Sequence, residues 1–352
     1  MEDLMKLLRK SLVLCMFVLM AGLVFAGGQQ EAAASEDAAD AIKPATYSWT
    51  AGGMGGGWYT TAGGMSAILN EMEPAITVKV IPGGGMANPL KLAAKQDEIG
   101  WGVSFVDKAA YNGTAPLFDK KFDNFYGLAG NFSVDFYHFL AAKNTGVTEL
   151  EQFVEKVKNG EKIKIAAPMA GTSERALTTF VLEYYGLSYE AIEEAGGKVI
   201  YAVYGDMVNL YKDRHVDYVF TCLGLPGAAI TEMAISRPSI LMHITDECIN
   251  YCAETFGTVS LDSGVSFVPG GTYKGMDEDI QTIGHSTEIC ASENLPDIVA
   301  YTFVKMLMEE MDQVHALSPS FKKYFSKQNA PKTVVPLHPG AEKYYREAGL
   351  ID

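Results

Sequence analysis

The chain has 352 residues, with 28 Lys and Arg against 43 Asp and Glu, a formal net charge of −15 at pH 7, 48% hydrophobic and 20% charged residues. This acidic balance argues against nucleic acid as a partner, because holding phosphates needs a basic face. The apolar fraction excludes a disordered chain, and the length suits two globular domains better than one.

Five cysteines are too few and too scattered for a disulfide scaffold, and no C-x-x-C occurs. Cys15 falls in the N-terminal apolar run. Cys248 and Cys252 fall on one helix face, where core packing is expected and pairing stays open. The six histidines do not cluster, so no zinc site is expected.

At the N-terminus, Lys6, Arg9 and Lys10 precede an apolar run from Leu12 to Phe25, which ends Val24-Phe25-Ala26 before Gly27. A spanning helix needs about 20 apolar residues, more than this run supplies. Residues 1–26 therefore read as an export signal cleaved after Ala26, with an uncleaved anchor as the alternative. Residues 27–44 are small, polar and acidic and read as a disordered tether. The mature protein is expected in the periplasm.

A short strand over Ala45–Thr50 leads into Ala51-Gly-Gly-Met-Gly-Gly-Gly-Trp-Tyr59, and a helix is predicted on to Met72. Glycines let a ligand approach the backbone, and the free N–H groups of the first helical turn attract an anion. The dinucleotide fingerprint fails, because Trp58 stands where its third glycine belongs. A tight turn that binds nothing has the same local pattern. Thr77–Ile81 repeats the arrangement, with Pro82-Gly-Gly-Gly85 and a helix from Met86 to Lys95. There Asn88 is expected to cap, with a ligand contact as the alternative. Ile99–Phe105 alternates as a third strand, with Ser104 at its C-terminal end, where open α/β sheets bind ligands. Val106–Tyr111 is helical.

Phe136–Ala142 reads as a buried strand leaving this first lobe. Thr148 and Glu151 form a predicted capping box for a helix to Lys158. Lys162–Ala167 is a strand, Pro168–Ser173 a small-residue loop, and Glu174–Tyr185 a helix. Strands follow at Val199–Val203 and Val216–Thr221, with Asp206–Tyr211 helical between them, and Leu223–Gly227 opens another helix. Ser266–Gly275 is a glycine-containing return, and Ile280–Ile289 is strand-like. One long amphipathic helix is predicted over Leu295–Leu317. Pro339 and Gly340 open the last, Ala341–Ala348. Hydrolase chemistry has no support: G-x-S-x-G and H-E-x-x-H are both absent.

Taken together, the turns resemble the TAXI-type solute-binding proteins of TRAP transporters, over roughly Thr46 to Leu350. Gly57-Trp-Tyr59 is similar to that family's G-G-x-Y-Y, Gly83–Asn88 to T-G-G-S-V-E-N, and Pro168–Ser173 to P-G-S-G-T-E. Asp217–Pro226 resembles D-A-x-F-x-x-G-x-P, and Gly271-Thr-Tyr-Lys-Gly275 resembles G-T-Y-x-G. Pro336-Leu-His-Pro-Gly-Ala341 with Tyr344-Tyr-Arg-Glu347 resembles P-L-H-P-G-A-x-x-Y-Y-R-E, the most specific of the set.

The resemblance implies a two-lobed α/β fold of the type II periplasmic-binding-protein kind, with the ligand cleft between lobes of residues 45–142 plus 268–352 and 143–267. It implies a monomer that passes a small organic solute, a carboxylate by expectation, to a TRAP permease driven by an ion gradient. An exported sensor for a signalling receptor is the alternative. Carried over as ligand contacts are Gly57, Tyr59, Asn88, Gly171 and Thr172, with Gly224 and Pro226 lining the cleft. Trp58, Gly85, Met86 and Ser173 share these loops, and Ser104 and Arg175 are included by position. No catalytic residue, cofactor or metal is expected. Gly85 and Ala87 stand where the family often has serine and glutamate, Met169 and Ala170 where it has Gly-Ser, and Ser173 replaces its acid, which suggests a ligand less polar than glutamate or one held by backbone groups.

Overall fold

The computed structural model describes residues 42–54 and 56–352. The expected leader, its cleavage point and all but the end of the tether lie outside the described residues.

The first lobe opens as three strand–turn–helix units. They are β1 (Ala45–Thr50) with α1 (Gly57–Met72), β2 (Ile76–Ile81) with α2 (Asn88–Ala93), and β3 (Ile99–Val103) with α3 (Ser104–Asn112). β4 (Phe125–Ala142) then runs for 18 residues. The second lobe is α4 (Leu150–Lys158), β5 (Lys164–Pro168), α5 (Ser173–Tyr184), α6 (Tyr189–Glu194), β6 (Lys198–Ala202), α7 (Tyr204–Lys212), β7 (Tyr218–Leu223), α8 (Ala228–Ser236), β8 (Ser239–Leu241) and α9 (Asp246–Phe256). The chain returns through the short pair β9 (Phe267–Val268) and β10 (Ile280–Gln281), then β11 (Gly284–Ser292). It ends in α10 (Asp297–Glu309), α11 (Met311–Ala316), α12 (Pro319–Tyr324) and α13 (Pro339–Glu347).

One sheet passes through both lobes in the order β2-β1-β3-β11-β4-β7-β5-β6, with β8 also on β4. β1 is parallel to β2 and β3, and β5 is parallel to β6 and β7. β11 and β4 lie antiparallel between these groups. The hand-over falls at Phe136, which pairs with Gly284 of β11 and with Leu223 of β7. Both parallel groups therefore end at the middle of the molecule, where their C-terminal turns face each other.

Separate apolar cores hold the lobes. Trp49, Met65, Leu69, Trp101, Phe132, Phe303 and Tyr345 pack in the first. Leu140, Met207, Tyr211, Val219 and Ile230 pack beneath α7 and α8 in the second. A third cluster, including Tyr137, Phe139, Phe153, Leu177 and Phe220, covers the other face of the crossing strands.

Two local expectations are corrected. The capping box at α4 uses Glu149 and Gln152 rather than Thr148 and Glu151. The Leu150 N–H donates to the His243 carbonyl at 2.9 Å, which fixes the first helical residue one position later. The helix expected over 295–317 divides at Glu310, whose φ of −100° and ψ of 29° interrupt it. This turn brings Leu317 onto α1 at Gly64, where a Cβ would meet Leu317 Cδ2 at 2.5 Å.

At the sheet centre Gly102 lies opposite Glu288. A Cβ on Gly102 would run into the Asp107 carboxylate, so only glycine fits there. Burial, reinforced by Glu288, pushes the Asp107 carboxyl well up, and burial pushes Glu288 up to about 7. Gly102→Ala is expected to destabilise the chain by about 2 kcal/mol through overpacking. A lower urea midpoint at unchanged slope would show it.

Candidate functional site

The first-lobe turns are held together by one side chain. Asn88 is fully buried. Its Oδ1 accepts from Thr50 Oγ1 at 3.0 Å and from the Gly84 N–H at 2.9 Å. Its Nδ2 donates to the carbonyls of Ala51 at 2.9 Å and Trp101 at 2.7 Å. It thus ties all three strand ends, and it caps no helix: Ala87 occupies the N-cap of α2 with no side-chain bond. With both amide ends engaged, Asn88 acts behind the turns.

Trp58 and Tyr59 diverge. Trp58 stacks on Trp101 at 5.7 Å between centroids, and its carbonyl accepts from Trp101 Nε1 at 3.0 Å. The Tyr59 hydroxyl donates to the Val80 carbonyl at 3.4 Å, away from the second lobe. Met86 packs half-buried against the core of the crossing strands. Ser104 is half-buried and opens α3 rather than extending its strand.

In the second lobe Thr172 caps α5: its Oγ1 accepts from the Arg175 N–H at 3.1 Å and donates to the Met169 carbonyl at 2.9 Å. That hydroxyl is committed to the turn. The Arg175 guanidinium lies over the rings of Tyr189 and Tyr201, 4.0 and 4.2 Å from their centroids, and donates to Tyr201 Oη at 3.0 Å. Gly171 has φ +82°, a conformation that favours glycine. Pro226 is exposed, whereas Gly224 is half-buried, where a Cβ would stand 3.3 Å from Asp135 Oδ1.

The turns of the two lobes touch. A Cβ on Gly84 would lie 3.3 Å from the Gly171 carbonyl oxygen, and one on Gly85 would lie 2.6 Å from Ser173 Oγ. A Cβ on Gly56 would come within 3.9 Å of the Tyr204 ring. Tyr137, on the crossing strand, donates to the Ser173 carbonyl at 3.4 Å. The cleft mouth is shut, with exposed Met54, Met169 and Val203 on these same turns. Hollows of about 340 and 260 Å³ lie elsewhere, beside Lys164 and Lys198, and beside Ala93 and Phe122.

Behind the turns stand two carboxyl groups that the sequence reading missed. Asp135 sits next to the hand-over point of β4, and Ser133 Oγ donates to it at 3.1 Å. Glu174 lies in the first turn of α5 and accepts from the Tyr204 hydroxyl, which is also 3.2 Å from the Cys222 carbonyl. Both acids are half-buried by area, yet protein surrounds them closely enough for burial to dominate their ionisation. Groups lining the space between lobes have this character. Burial pushes Asp135 up to about 6, against the pull of hydrogen bonds from Ser133 and Trp58. Burial pushes Glu174 up to about 8, Tyr204 opposing and Asp135 adding to the rise. One signal was available: Asp135 is the lone charge in the apolar run Phe132–Ala142.

Residues 49–349 match the NMT1-like family. Among solved structures, MatC from Rhodopseudomonas palustris with bound malate is similar with a TM-score of 0.51 at 14% identity, over 88% of this chain and 99% of that one. The periplasmic binding protein BugD aligns over 88% and 99% at 15% identity with a TM-score of 0.47. The MatC likeness bears on the fold alone: two lobes of mixed α/β structure around a cleft.

Two outcomes are expected from this geometry. Asn88→Leu would leave several buried groups without partners and is expected to cost about 3 kcal/mol in urea unfolding. For pH, the folded chain keeps protons on Asp135 and Glu174 that the unfolded chain has released, so their contribution to stability falls as pH rises. The fall spans 3.8 to about 6 for Asp135 and 4.5 to about 8 for Glu174. In thermal melts of ligand-free protein, Glu174→Gln is expected to flatten the upper part of this slope.

Proposed function

The chain belongs to the NMT1-like family, and from that premise we propose that it is the extracytoplasmic solute-binding component of a membrane transport system. It takes a small organic solute between lobes of residues 45–142 plus 268–352 and 143–267, and presents the closed form to a TRAP-type permease driven by an ion gradient. A carboxylate on the solute is served by the backbone N–H groups that open α1 and α5. The proposed chemistry is binding and release, with no bond broken.

One observation carries this function: the turns ending the parallel strands of each lobe meet face to face, Gly84 on Gly171 and Gly85 on Ser173. Closure of that kind buries a solute and couples its presence to the relative position of the lobes. The strand Phe125–Ala142 supports the same function, since it is backbone shared by the two lobes and changes sheet partners at Phe136.

Native mass spectrometry of protein purified under mild conditions is expected to show one small organic adduct per chain, lost on unfolding. Gly84→Val tests closure: its Cβ would press on the Gly171 carbonyl and on nothing else within 4 Å. It is expected to weaken retention of the adduct at least about tenfold while leaving stability within about 0.5 kcal/mol. Undiminished retention would contradict closure at this contact.

A further inference from the structure

The charge behind the turns has the wrong sign for a purely anionic solute. Asp135 reaches the cleft from the strand that joins the lobes, and Glu174 from the second lobe. Tyr137, two residues on from Asp135, hydrogen-bonds to Ser173, the neighbour of Glu174. Gly224 borders Asp135, while its near neighbour Cys222 offers a carbonyl to the same Tyr204 that bonds Glu174. The two acids thus belong to one space: Asp135 adds to the rise at Glu174, and both raise the Tyr204 hydroxyl.

Aromatic side chains line that space. Trp58 enters from the first lobe, and its indole N–H draws the Asp135 carboxyl down against the effect of burial. Tyr204 enters from the second lobe, and Tyr137 lies on the crossing strand between. The arginine best placed to balance the acids, Arg175, is stacked between Tyr189 and Tyr201 and donates to Tyr201. Among the described residues no lysine or arginine pairs with Asp135 or Glu174. Carboxylates beside tyrosine hydroxyls, with no internal cation, complement an organic ammonium group: the acids supply charge and strong acceptors, and the hydroxyls supply further acceptors.

We propose that Asp135 and Glu174, walled by Trp58, Tyr137 and Tyr204, bind a positively charged nitrogen of the solute, so that the cargo is an organic ammonium compound, zwitterionic where it also bears a carboxylate. This rests on the solute-binding function proposed above and narrows its cargo. It also fits the loss of polar side chains from the glycine turns, because the charged contact is supplied from behind them. A proton on Glu174 at neutral pH leaves one net negative charge on the pair, and an arriving ammonium displaces that proton.

The test uses the full-length protein stripped of adduct by unfolding and refolding. Calorimetric titration at pH 7 with γ-aminobutyrate, glycine betaine, choline and ethanolamine is set against malate and succinate. Binding by at least one ammonium compound is expected. Repetition in buffers of different ionisation enthalpy is expected to show release of up to about one proton per solute bound. Asp135→Asn and Glu174→Gln, near-isosteric changes checked for folding by circular dichroism, are each expected to weaken that binding about thirtyfold or more. Binding by malate or succinate alone, with affinity kept or improved in these variants, overturns the ammonium assignment and leaves solute binding standing. Ammonium binding with no proton release and unchanged affinity in both variants overturns the roles of the two acids. Failure of both ligand classes, together with no adduct on the native protein, overturns the cargo assignment and the solute-binding function together.

Discussion

The structure depends on one strand belonging to two lobes. Through Phe125–Ala142 the backbone bonds first to β11 and then to β7 and β8, changing partners at Phe136. Every N–H and C=O of a buried strand needs a partner, so each half of β4 commits its lobe to a sheet position. At the change-over Phe136 packs into the second-lobe core, while Asp135 beside it is half-buried. The constraint that joins the lobes thereby also places a carboxylate at their junction.

The turns are positioned by contacts that face away from any solute. Asn88 joins three strand ends through a buried amide, and Thr172 holds the α5 turn through its own hydroxyl. Such bonds are worth about 1 kcal/mol each when made and more when broken, since the orphaned partner stays buried. Rigid turns are what let glycines from opposite lobes approach within van der Waals contact. Polar residues of the loops therefore divide into those that shape the cleft and those that face it, and most of the conspicuous ones shape it.

Electrostatics then distinguishes the faces. Two helix N-termini offer positive partial charge at the turns, while Asp135 and Glu174 supply negative charge behind them. On the proposed function, opposite signs at opposite ends of the space would orient a dipolar guest. The acids are held above their usual range by burial, so protonation, occupancy and closure are thermodynamically linked.

Local signals were legible in the residues themselves. Glycine runs after short strands marked the turns at 52–57 and 82–85, and Pro339-Gly340 marked the last helix start. These depend on backbone preferences that act over a few residues; the alternation of strand and helix marked an α/β chain, and the two-lobed arrangement with its cleft came from the resemblance of the turns to the TAXI-type solute-binding proteins. The tertiary structure decided which side chains share a space. Asn88 looked like a cap and proved a buried tie; Tyr59 turned to Val80; Arg175 stacked on Tyr189 and Tyr201; Asp135 and Glu174 converged. Each outcome depends on which strands lie beside each other, a long-range matter that no local pattern around the residue encodes.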